Sequence, residues 1–398
     1  MKKIVLLSLL FVLAAVSAHA QQAIWGVMPL VSPEVHADNS VTFRFSAPQA
    51  QSVRITGDFL PARPIPTEYG TFDAPGEAEL TRNSEGVWEF TTAPLAPELY
   101  SYSFIVDGLR MPDPCNVFQI RDTSTITNVF LIGGDYADYF KVNDVPHGTV
   151  SKVWYHSPVL GMDRRMTVYT PAGYENGDKS YPVFYLLHGM GGDENAWSEL
   201  GRATQILDNM IARGEMEPMI VVMTNGNVDM QAAPGETSAG FVAPTTQLPS
   251  TMNGMFETHF PDVVNFVDSH YRTIPDKAHR AIGGLSMGGF HSLHISKQYP
   301  DMFDYVGLFS AAIMPREGAT SPVYADFDAK LARQFAAQPA LYWIAIGDKD
   351  FLYSANKDFR AMLDSHNYPY EYMESPDGHI WKNWRIYLTK FMPKLFKK

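Results

Sequence analysis

Hydrophobic and polar residues alternate with a period of two through the first part of the chain, from about residue 21 to residue 132. The stretches VTFRFS (41–46) and YSYSFIV (100–106) show the pattern, and Gly, Pro and Asp residues separate one short run from the next. Alternation of this kind predicts strands that bury one face, and a series of such strands predicts an antiparallel sandwich. We see no helical spacing here and predict an all-β domain.

From about residue 147 onward, continuous apolar runs alternate with stretches that have helical spacing. The run YPVFYLLHG (181–189) is typical of a strand buried on both faces, whereas GRATQILDNMIARG (201–214) is typical of a helix that buries one face. The same alternation recurs to the C-terminus. Strands that alternate with helices predict a doubly wound, mostly parallel sheet that is covered by helices on both faces.

The N-terminus has the features of a secretory signal. Lys2 and Lys3 precede an apolar run from about residue 4 to residue 16, and Ala18-His19-Ala20 supplies small residues where signal peptidase cleaves. We therefore predict a signal peptide over residues 1–20. The protein is then secreted or periplasmic, without a membrane anchor.

Two domains are predicted after the signal peptide. The β-sandwich covers residues 21–132, and the larger α/β domain covers residues 147–398. Between them, residues 133–146 contain glycine and proline residues that are typical of a linker. The aromatic residues of this linker are predicted to dock on a neighbouring surface.

The composition excludes several classes of function. The chain of 398 residues has a formal net charge of −12 at pH 7, and an acidic surface repels the phosphate backbone of nucleic acid. The single cysteine, Cys115, rules out an internal disulfide and a cysteine-rich zinc site. We predict neither a metal nor a cofactor.

Residues Gly284-Leu285-Ser286-Met287-Gly288 match the GxSxG pattern of a nucleophile elbow. A predicted strand leads into the pattern, and a predicted helix leads out of it. The glycines permit a turn that is too tight for flanking side chains, and the N-terminus of the following helix favours an anionic intermediate. Ser286 is therefore predicted to be a catalytic nucleophile.

A serine nucleophile needs a general base, and the base needs an acid that orients it. His379 follows a predicted strand in the loop SPDGHIW and is the predicted base, whereas His291 and His294 lie on the helix that leaves the elbow. Asp348 and Asp350 both follow the predicted strand LYWIAIG and both qualify as the acid. We favour Asp350 because it lies further into the loop.

An oxyanion hole requires two backbone N–H groups. We assign them to Met287, which follows the nucleophile, and to Met190 in the loop LLHGMGGDENAW. Four residues near these groups are predicted as substrate contacts: His188, Gly189, Trp197 and Trp381. For Trp381 the alternative role is helix packing, and His188 is also expected to order its loop.

The region from residue 147 to residue 398 resembles carbohydrate esterase family 1 and its esterase D-like relatives. The motifs that carry the resemblance are YPVFYLLHGMGGDENAW, IGGLSMGG, IGDKDFLY and SPDGHIWKNWR. The resemblance implies an α/β-hydrolase fold. It also implies a catalytic triad of Ser286, Asp350 and His379, in agreement with the assignments above.

Residues 35–118 resemble the early-set immunoglobulin-like modules of the family-48 carbohydrate-binding type. The motifs are VTFRFSAPQAQSVRITGDF, GVWEFTTAPLAPELYSYSFIVDG and MPDPCN. The resemblance implies an immunoglobulin-like sandwich and contact with glycan. Trp88, Tyr100 and Tyr102 are the candidates for stacking on sugar rings, with packing in the core as their alternative role.

The pairing of such a module with such a catalytic domain resembles secreted feruloyl esterases of bacterial xylan degraders. It implies hydrolysis of feruloyl and p-coumaroyl esters, with feruloylated arabinoxylan or its oligosaccharides as the partner. The alternatives are an acetyl-xylan esterase, a siderophore esterase of the enterochelin type, and a glycan-binding protein with an inert hydrolase domain. The segment 225–255 lacks clear periodicity and is predicted to overhang the cleft and bind the acyl group or the sugar.

Overall fold

The structure is a computed structural model that describes residues 30–67, 70–238, 240 and 250–397. The predicted signal peptide lies outside the described residues, as do residues 239 and 241–249 of the predicted cleft segment. Within the described ranges, no helix is both long enough and apolar enough to cross a membrane.

The described part of the N-terminal region consists of short strands that pair in antiparallel fashion. These strands are β1 (Glu34–Val35), β2 (Val41–Ser46), β3 (Val53–Gly57), β4 (Arg63–Thr67), β5 (Gly70–Ala74), β6 (Gly76–Glu79), β7 (Thr81–Arg82), β8 (Val87–Thr91), β9 (Glu98–Val106), β10 (Leu109–Met111), β11 (Gln119–Asp122) and β12 (Thr125–Ile132). One sheet has the order β1-β2-β8-β7 and a second has the order β11-β12-β9-β3-β6, with β10 paired to β9. The strands β4 and β5 pair with each other.

The two sheets share one hydrophobic core. Val41, Phe43 and Phe45 of β2 belong to the same buried cluster as Ile55 of β3 and Phe104 of β9. Alternate residues of a strand point to the same face, so the period-two pattern read from the sequence is the core face of each strand. The all-β prediction is confirmed for the described residues, and the immunoglobulin-like topology stays a prediction.

Two of the aromatic residues predicted to stack on sugar rings lie in this core instead. Trp88 and Tyr102 are 8% and 1% exposed, and the polar atom of each donates a hydrogen bond to a protein oxygen. Because a buried ring has no face left for a sugar, the glycan role is wrong for both residues, and core packing is their role. Tyr100 is half-buried and stacks on Phe130, and its contact with glycan stays a prediction.

The segment predicted as a linker, residues 133–146, is packed against the rest of the protein. Asp135–Phe140 forms a short 3-10 helix, and Phe140 is fully buried. The Tyr139 hydroxyl donates a hydrogen bond to Glu215 at 2.6 Å. The segment therefore docks on the α/β region through its aromatic residues, and the boundaries of the two domains stay predictions.

The C-terminal region alternates strands and helices. Its strands are β13 (Thr149–Ser157), β14 (Met162–Thr170), β15 (Val183–Leu187), β16 (Ile220–Thr224), β17 (Arg280–Leu285), β18 (Tyr305–Phe309), β19 (Leu341–Gly347) and β20 (Glu371–Ser375). Its α-helices are α1 (Ala196–Glu199), α2 (Ala203–Ala212), α3 (Met255–His270), α4 (Met287–Gln298), α5 (Phe327–Ala336), α6 (Tyr353–Ser365) and α7 (Trp381–Phe391).

These strands form one sheet in the order β13-β14-β16-β15-β17-β18-β19-β20. The strands from β16 to β20 in this order run parallel, and β13 and β14 are antiparallel at one edge. Residues of α3, α5 and α6 share a hydrophobic cluster on one face, and residues of α1, α2 and α7 share a cluster on the other. The predicted doubly wound, mostly parallel sheet is confirmed.

The N-terminal region packs on the face of the sheet that carries α2 and α7. Leu99 of β9, Ile120 of β11 and Val129 of β12 belong to the same buried cluster as residues of these helices. Arg385 on α7 pairs with Glu98 at 3.0 Å, and both side chains are 6% exposed. The two regions thus share a hydrophobic core and a buried ion pair.

Candidate active site

Ser286 occupies the turn between β17 and α4 with a backbone conformation that L-residues rarely adopt. Its φ is 54° and its ψ is −115°. The Ser286 N–H donates to the Phe309 carbonyl at 2.9 Å, and the Ser286 carbonyl accepts from the Ala312 N–H at 3.1 Å. Ser286 thus has a strained backbone, is held by two backbone hydrogen bonds, and lies at a strand–turn–helix junction. This arrangement is typical of a nucleophile elbow.

Two glycines of the elbow are required by close backbone contacts. A Cβ atom on Gly284 would lie 2.5 Å from the Leu187 carbonyl oxygen, and a Cβ atom on Gly288 would overlap the same oxygen. Both glycines let β17 and α4 approach the end of β15. The elbow therefore lies directly against the start of the loop that carries Met190.

The predicted base and the predicted acid are hydrogen-bonded to each other. His379 Nδ1 lies 2.8 Å from Asp350 Oδ2, and Asp350 Oδ1 accepts from the Leu352 N–H at 2.9 Å. The Asp350 side chain is fully buried, and the His379 side chain is 16% exposed. Because Nδ1 binds the carboxylate, Nε2 is the ring nitrogen that can accept a proton from a nucleophile.

The three predicted triad residues lie at one edge of the sheet. Ser286, Asp350 and His379 follow β17, β19 and β20, and these strands lie in the parallel run β17-β18-β19-β20. The carboxyl ends of parallel strands meet at the same edge, where ligands bind in open α/β sheets. The loops after β19 and β20 are also tied directly, since the Asp348 N–H donates to the Ser375 carbonyl at 2.9 Å.

The other acid and base candidates from the sequence have different surroundings. The Asp348 side chain is exposed, and His379 Nδ1 contacts the Asp350 carboxylate. His291 and His294 are buried on α4, where His291 Nδ1 lies 2.8 Å from Glu257. Burial lowers the pKa of His294 well below its ordinary value. These contacts favour structural roles for both helix histidines.

His379 lies among aromatic side chains. The centre of its ring is 4.5 Å from that of Phe351 and 4.9 Å from that of Trp384. Phe351 is 53% exposed and follows Asp350 directly. Phe351 was not predicted from the sequence, although its place beside the predicted acid was a usable signal.

The two residues predicted to supply the oxyanion hole are Met287, next to Ser286 in the chain, and Met190, on the loop after β15. Met287 is the first residue of α4, and the N–H groups of the first helical turn have no acceptor within their own helix. Met190 follows β15 and is 42% exposed. A Cβ atom on Gly189 would lie 3.3 Å from the Ser286 Cβ atom, so the Met190 loop passes directly beside the nucleophile.

His188 orders this loop from a buried position. Its Nδ1 lies 2.7 Å from the Gly189 carbonyl, and its Nε2 accepts from the Gly226 N–H at 2.8 Å. These partners require a neutral ring with the proton on Nδ1. Burial lowers the pKa of His188 to about 4, which keeps the ring neutral at pH 7. Its 2% exposure leaves no surface for substrate, so the predicted contact is wrong and loop ordering is its role.

Residues 225–233, at the start of the segment predicted to overhang the cleft, pack on the Met190 loop. Glu194, fully buried, pairs with Arg165 of β14 at 2.7 Å. It also accepts hydrogen bonds from the Asn225 side chain and from the Ala233 N–H, each at 2.9 Å. The Asn227 side chain donates to the Gly192 carbonyl at 2.9 Å. Residues 225–233 therefore support the Met190 loop.

Comparison with known proteins identifies the family. The family model described as Esterase matches residues 157–395. The chain belongs to this esterase family. An endo-1,4-beta-xylanase/feruloyl esterase of Xylanibacter ruminicola is 27% identical over 370 residues, which is 92% of this chain and 46% of that protein. The chain thus spans less than half the length of this relative.

Solved structures of esterases share the fold. A CE1 ferulic acid esterase from Anaeromyces mucronatus matches with a TM-score of 0.52 and 26% identity, over 65% of this chain and 95% of that chain. The enterobactin esterase of Shigella flexneri matches with a TM-score of 0.59 over 90% of this chain and 93% of that chain. Its 15% identity shows a shared fold alone. An α/β-hydrolase-like domain is therefore confirmed for the C-terminal region.

The two tryptophans predicted as substrate contacts differ in their exposure. Trp197 is 1% exposed and donates its indole N–H to the Leu187 carbonyl at 2.9 Å, so its predicted contact with substrate is wrong. Trp197 instead holds the end of β15. Trp381 is half-buried and packs edge-on against Trp197 and Trp384, with ring centres 5.3 and 5.2 Å apart. A contact of Trp381 with substrate stays a prediction.

Proposed function

We propose that this esterase is a secreted serine carboxylesterase that hydrolyses feruloyl and p-coumaroyl esters on arabinoxylan through an acyl-enzyme. The observation that carries the chemistry is the hydrogen bond between Asp350 and His379, at the sheet edge where the strained Ser286 ends β17. The similarity to the Xylanibacter ruminicola and Anaeromyces mucronatus proteins supports the choice of substrate.

His379 is the general base of the proposed reaction. The Asp350 carboxylate holds the Nδ1–H tautomer and stabilises the imidazolium that forms. Nε2 takes the proton of Ser286 as Oγ attacks the ester carbonyl carbon, and the same proton passes to the sugar oxygen that leaves. Water then attacks the acyl-enzyme by the same route and releases the hydroxycinnamic acid and Ser286.

The backbone N–H groups of Met287 and Met190 stabilise the oxyanion that forms at each attack. Met287 begins α4, so the partial positive charge of the helix N-terminus acts on the same oxygen. Donors that are fixed before the reaction stabilise the transition state without reorganisation, and loss of one typically costs 10²- to 10³-fold in kcat. This role explains why the Met190 loop is anchored by so many buried polar groups.

The exposed Phe351 and Met190 side chains provide apolar surface beside the proposed base and oxyanion hole. A hydroxycinnamoyl group is planar and aromatic, and it packs well on such a surface. Residues 225–233 contact the same loop, which supports the proposal that the longer segment 225–255 contributes to substrate binding.

A substrate panel tests the proposal. Purified full-length protein would be assayed with methyl ferulate, p-nitrophenyl acetate, feruloylated arabinoxylan and enterobactin. Wild type is expected to release ferulate from the first and third substrates, and Ser286→Ala is expected to release none. Ser269→Ala, at an exposed serine on α3, is the matched control and should retain full activity.

The other outcomes identify the alternatives. Acetate release without ferulate release would favour a deacetylase, and preferred hydrolysis of enterobactin would favour a siderophore esterase. Wild type that hydrolyses no ester would overturn the enzymatic proposal. Secretion is tested separately by sequencing the N-terminus of exported protein, which we expect to begin at Gln21.

A further inference from the structure

The hairpin formed by β11 and β12 places residues of the N-terminal region next to the candidate active site. Ile120 of β11 is buried in the cluster that also contains Trp197 and Trp384. The turn of the hairpin includes Thr123, which has a φ of 52°. The Arg121 side chain donates to the Thr123 carbonyl at 2.7 Å, so the hairpin itself holds this arginine in position.

Arg121 forms an ion pair with Asp193 in the Met190 loop. The Asp193 side chain is 2% exposed, whereas the Arg121 side chain is 27% exposed. The second carboxylate oxygen of Asp193 accepts from the Asn195 N–H at 2.9 Å, and the Asp193 carbonyl accepts from the Ala196 N–H at 3.1 Å. Asp193 thus shapes the turn that connects the Met190 loop to α1.

The next residue of the hairpin reaches the other side of the site. The Asp122 carboxyl lies close to Trp381. The surrounding protein raises the pKa of this carboxyl, and Arg121, Thr123 and Trp381 oppose that change. Trp381 packs on Trp384, whose ring contacts His379. Two consecutive residues of the N-terminal hairpin thus lie close to the site, Arg121 at the Met190 loop and Asp122 near Trp381.

A buried carboxylate without a partner is costly, because the low-dielectric interior solvates its charge poorly. The Asp193 charge lies three residues from Met190, whose N–H is proposed to bind the oxyanion. The cation that balances it comes from a different region of the chain, 72 residues away in sequence. Without that cation, we expect the Asp193 side chain to shift towards other hydrogen-bond donors. The backbone of the Met190 loop would then shift as well.

We propose that Arg121 of the N-terminal hairpin is a positioning residue for the oxyanion hole, acting through Asp193 on the loop that carries Met190. The inference rests on the proposed serine esterase mechanism, and it makes the N-terminal region part of the catalytic apparatus. Since a displaced oxyanion donor acts on the transition state, the effect belongs to kcat and is the same for different acyl groups.

The test compares Arg121→Ala and Arg121→Lys in the full chain. Arg121→Ala is expected to lower kcat about 10-fold or more for both methyl ferulate and p-nitrophenyl acetate, with little change in KM. Arg121→Lys keeps the charge and should recover part of the rate. Arg54→Ala is the matched control, because it breaks an ion pair with Glu77 in the same sheet of the N-terminal region.

A double variant separates positioning from general destabilisation. Asp193→Asn added to Arg121→Ala removes the unpaired buried charge, and it should restore activity above that of Arg121→Ala alone. Thermal midpoints are measured for every variant. Unchanged kcat in Arg121→Ala, or a loss that the Arg54→Ala control matches, would overturn the inference.

A second measurement does not depend on the identity of the substrate. It is the rate at which a fluorophosphonate labels Ser286. The serine oxygen displaces fluoride from phosphorus, and the oxyanion hole stabilises the phosphoryl oxygen in that step. We expect Arg121→Ala to slow labelling by a factor similar to its loss in kcat. Wild type that labels rapidly but does not release ferulate would refute only the substrate, whereas equal labelling of wild type and Arg121→Ala would refute the role of Arg121.

Discussion

The acid–base half of the candidate site and its oxyanion half are held in place by different parts of the chain. Asp350 and His379 lie on neighbouring loops of the sheet and bond to each other directly. The Met190 loop is held through Glu194 by Arg165 of β14 and through Asp193 by Arg121 of the N-terminal region. The acid and the base thus lie on the loops that follow two adjacent parallel strands, β19 and β20. The Met190 loop instead carries two buried carboxylates, Asp193 and Glu194, whose cationic partners come from distant parts of the chain.

Removal of the nucleophile has the largest expected effect. The loss in kcat of Ser286→Ala is the reference against which the other variants are compared. We expect Ser286→Ala to lower kcat by about 10⁴-fold or more, because neither half can act without the attacking oxygen. Hydrolysis of p-nitrophenyl acetate measures the loss, and the thermal midpoint checks the fold. Activity of Ser286→Ala close to that of wild type would contradict the nucleophile assignment.

The substitution Asp350→Asn tests the acid–base half, because it removes the carboxylate that contacts His379. We expect a loss in kcat of about 10⁴-fold, because the amide does not hold the same histidine tautomer or stabilise the imidazolium. Asp348→Asn is the matched control, since this side chain is exposed in the same loop and should retain activity within a few-fold. Larger loss in Asp348→Asn than in Asp350→Asn would reverse the choice between the two acids.

Docking of the N-terminal region as a whole is tested at Arg385. This buried side chain pairs with Glu98 and donates to the Leu200 carbonyl at 2.9 Å. Arg385→Ala leaves the Glu98 charge buried and should reduce the free energy of unfolding by about 3–5 kcal/mol. Urea denaturation measures the change.

Lys390→Ala, at an exposed position on the same helix, is its control and should change stability by less than about 0.5 kcal/mol. The contrast with Arg121→Ala sharpens the comparison of the two halves. Arg385→Ala is expected to act mainly on stability, and Arg121→Ala mainly on kcat. If both variants lost stability and kcat in the same proportion, the N-terminal region would act only by stabilising the fold.

The smallest expected effect is the response of the oxyanion half to acid. Burial lowers the pKa of His188 to about 4, from an ordinary value of 6.5. Between these values the unfolded chain binds a proton that the folded chain does not bind, so stability falls as the pH falls from 6.5 towards 4. At pH 5 the loss from this residue is about 2 kcal/mol.

The measurement is the free energy of unfolding of wild type and His188→Asn at pH 7 and pH 5. The variant should lose less stability between the two values than wild type loses. His366→Asn, at an exposed histidine after α6, is the control and should keep the wild-type dependence. The same dependence in all three proteins would show that His188 does not titrate as proposed.

Most elements of the α/β region could be predicted because their periodicity is local. The strand before Ser286, the helix after it, and the strands before Asp350 and His379 lie where the apolar runs placed them. Helix α5 was not predicted from the sequence. It is a short helix at which Leu331 and Phe335 supply the buried apolar contacts, and two such positions are a weak signal.

The aromatic residues of the sandwich show the limit of the same method. Alternation assigns Trp88 and Tyr102 to one face of their strands, but a sugar-binding face and a core face have the same period of two. Only the packing of the second sheet over that face decided that both rings are buried. Trp197 was misread for a related reason, since its distance from the elbow along the chain does not predict its depth below the surface.

The sequence alone determined the type of most elements in the α/β region, the GxSxG turn, and the order along the chain of the predicted serine, acid and histidine. These are properties of short stretches, and backbone sterics and hydrophobic periodicity express them locally. The tertiary structure decided that Asp350 rather than Asp348 binds His379, and that Arg121 pairs with Asp193 in the loop that carries Met190. Such pairs depend on how distant elements pack and exclude water, and the linear order of residues carries no signal for them.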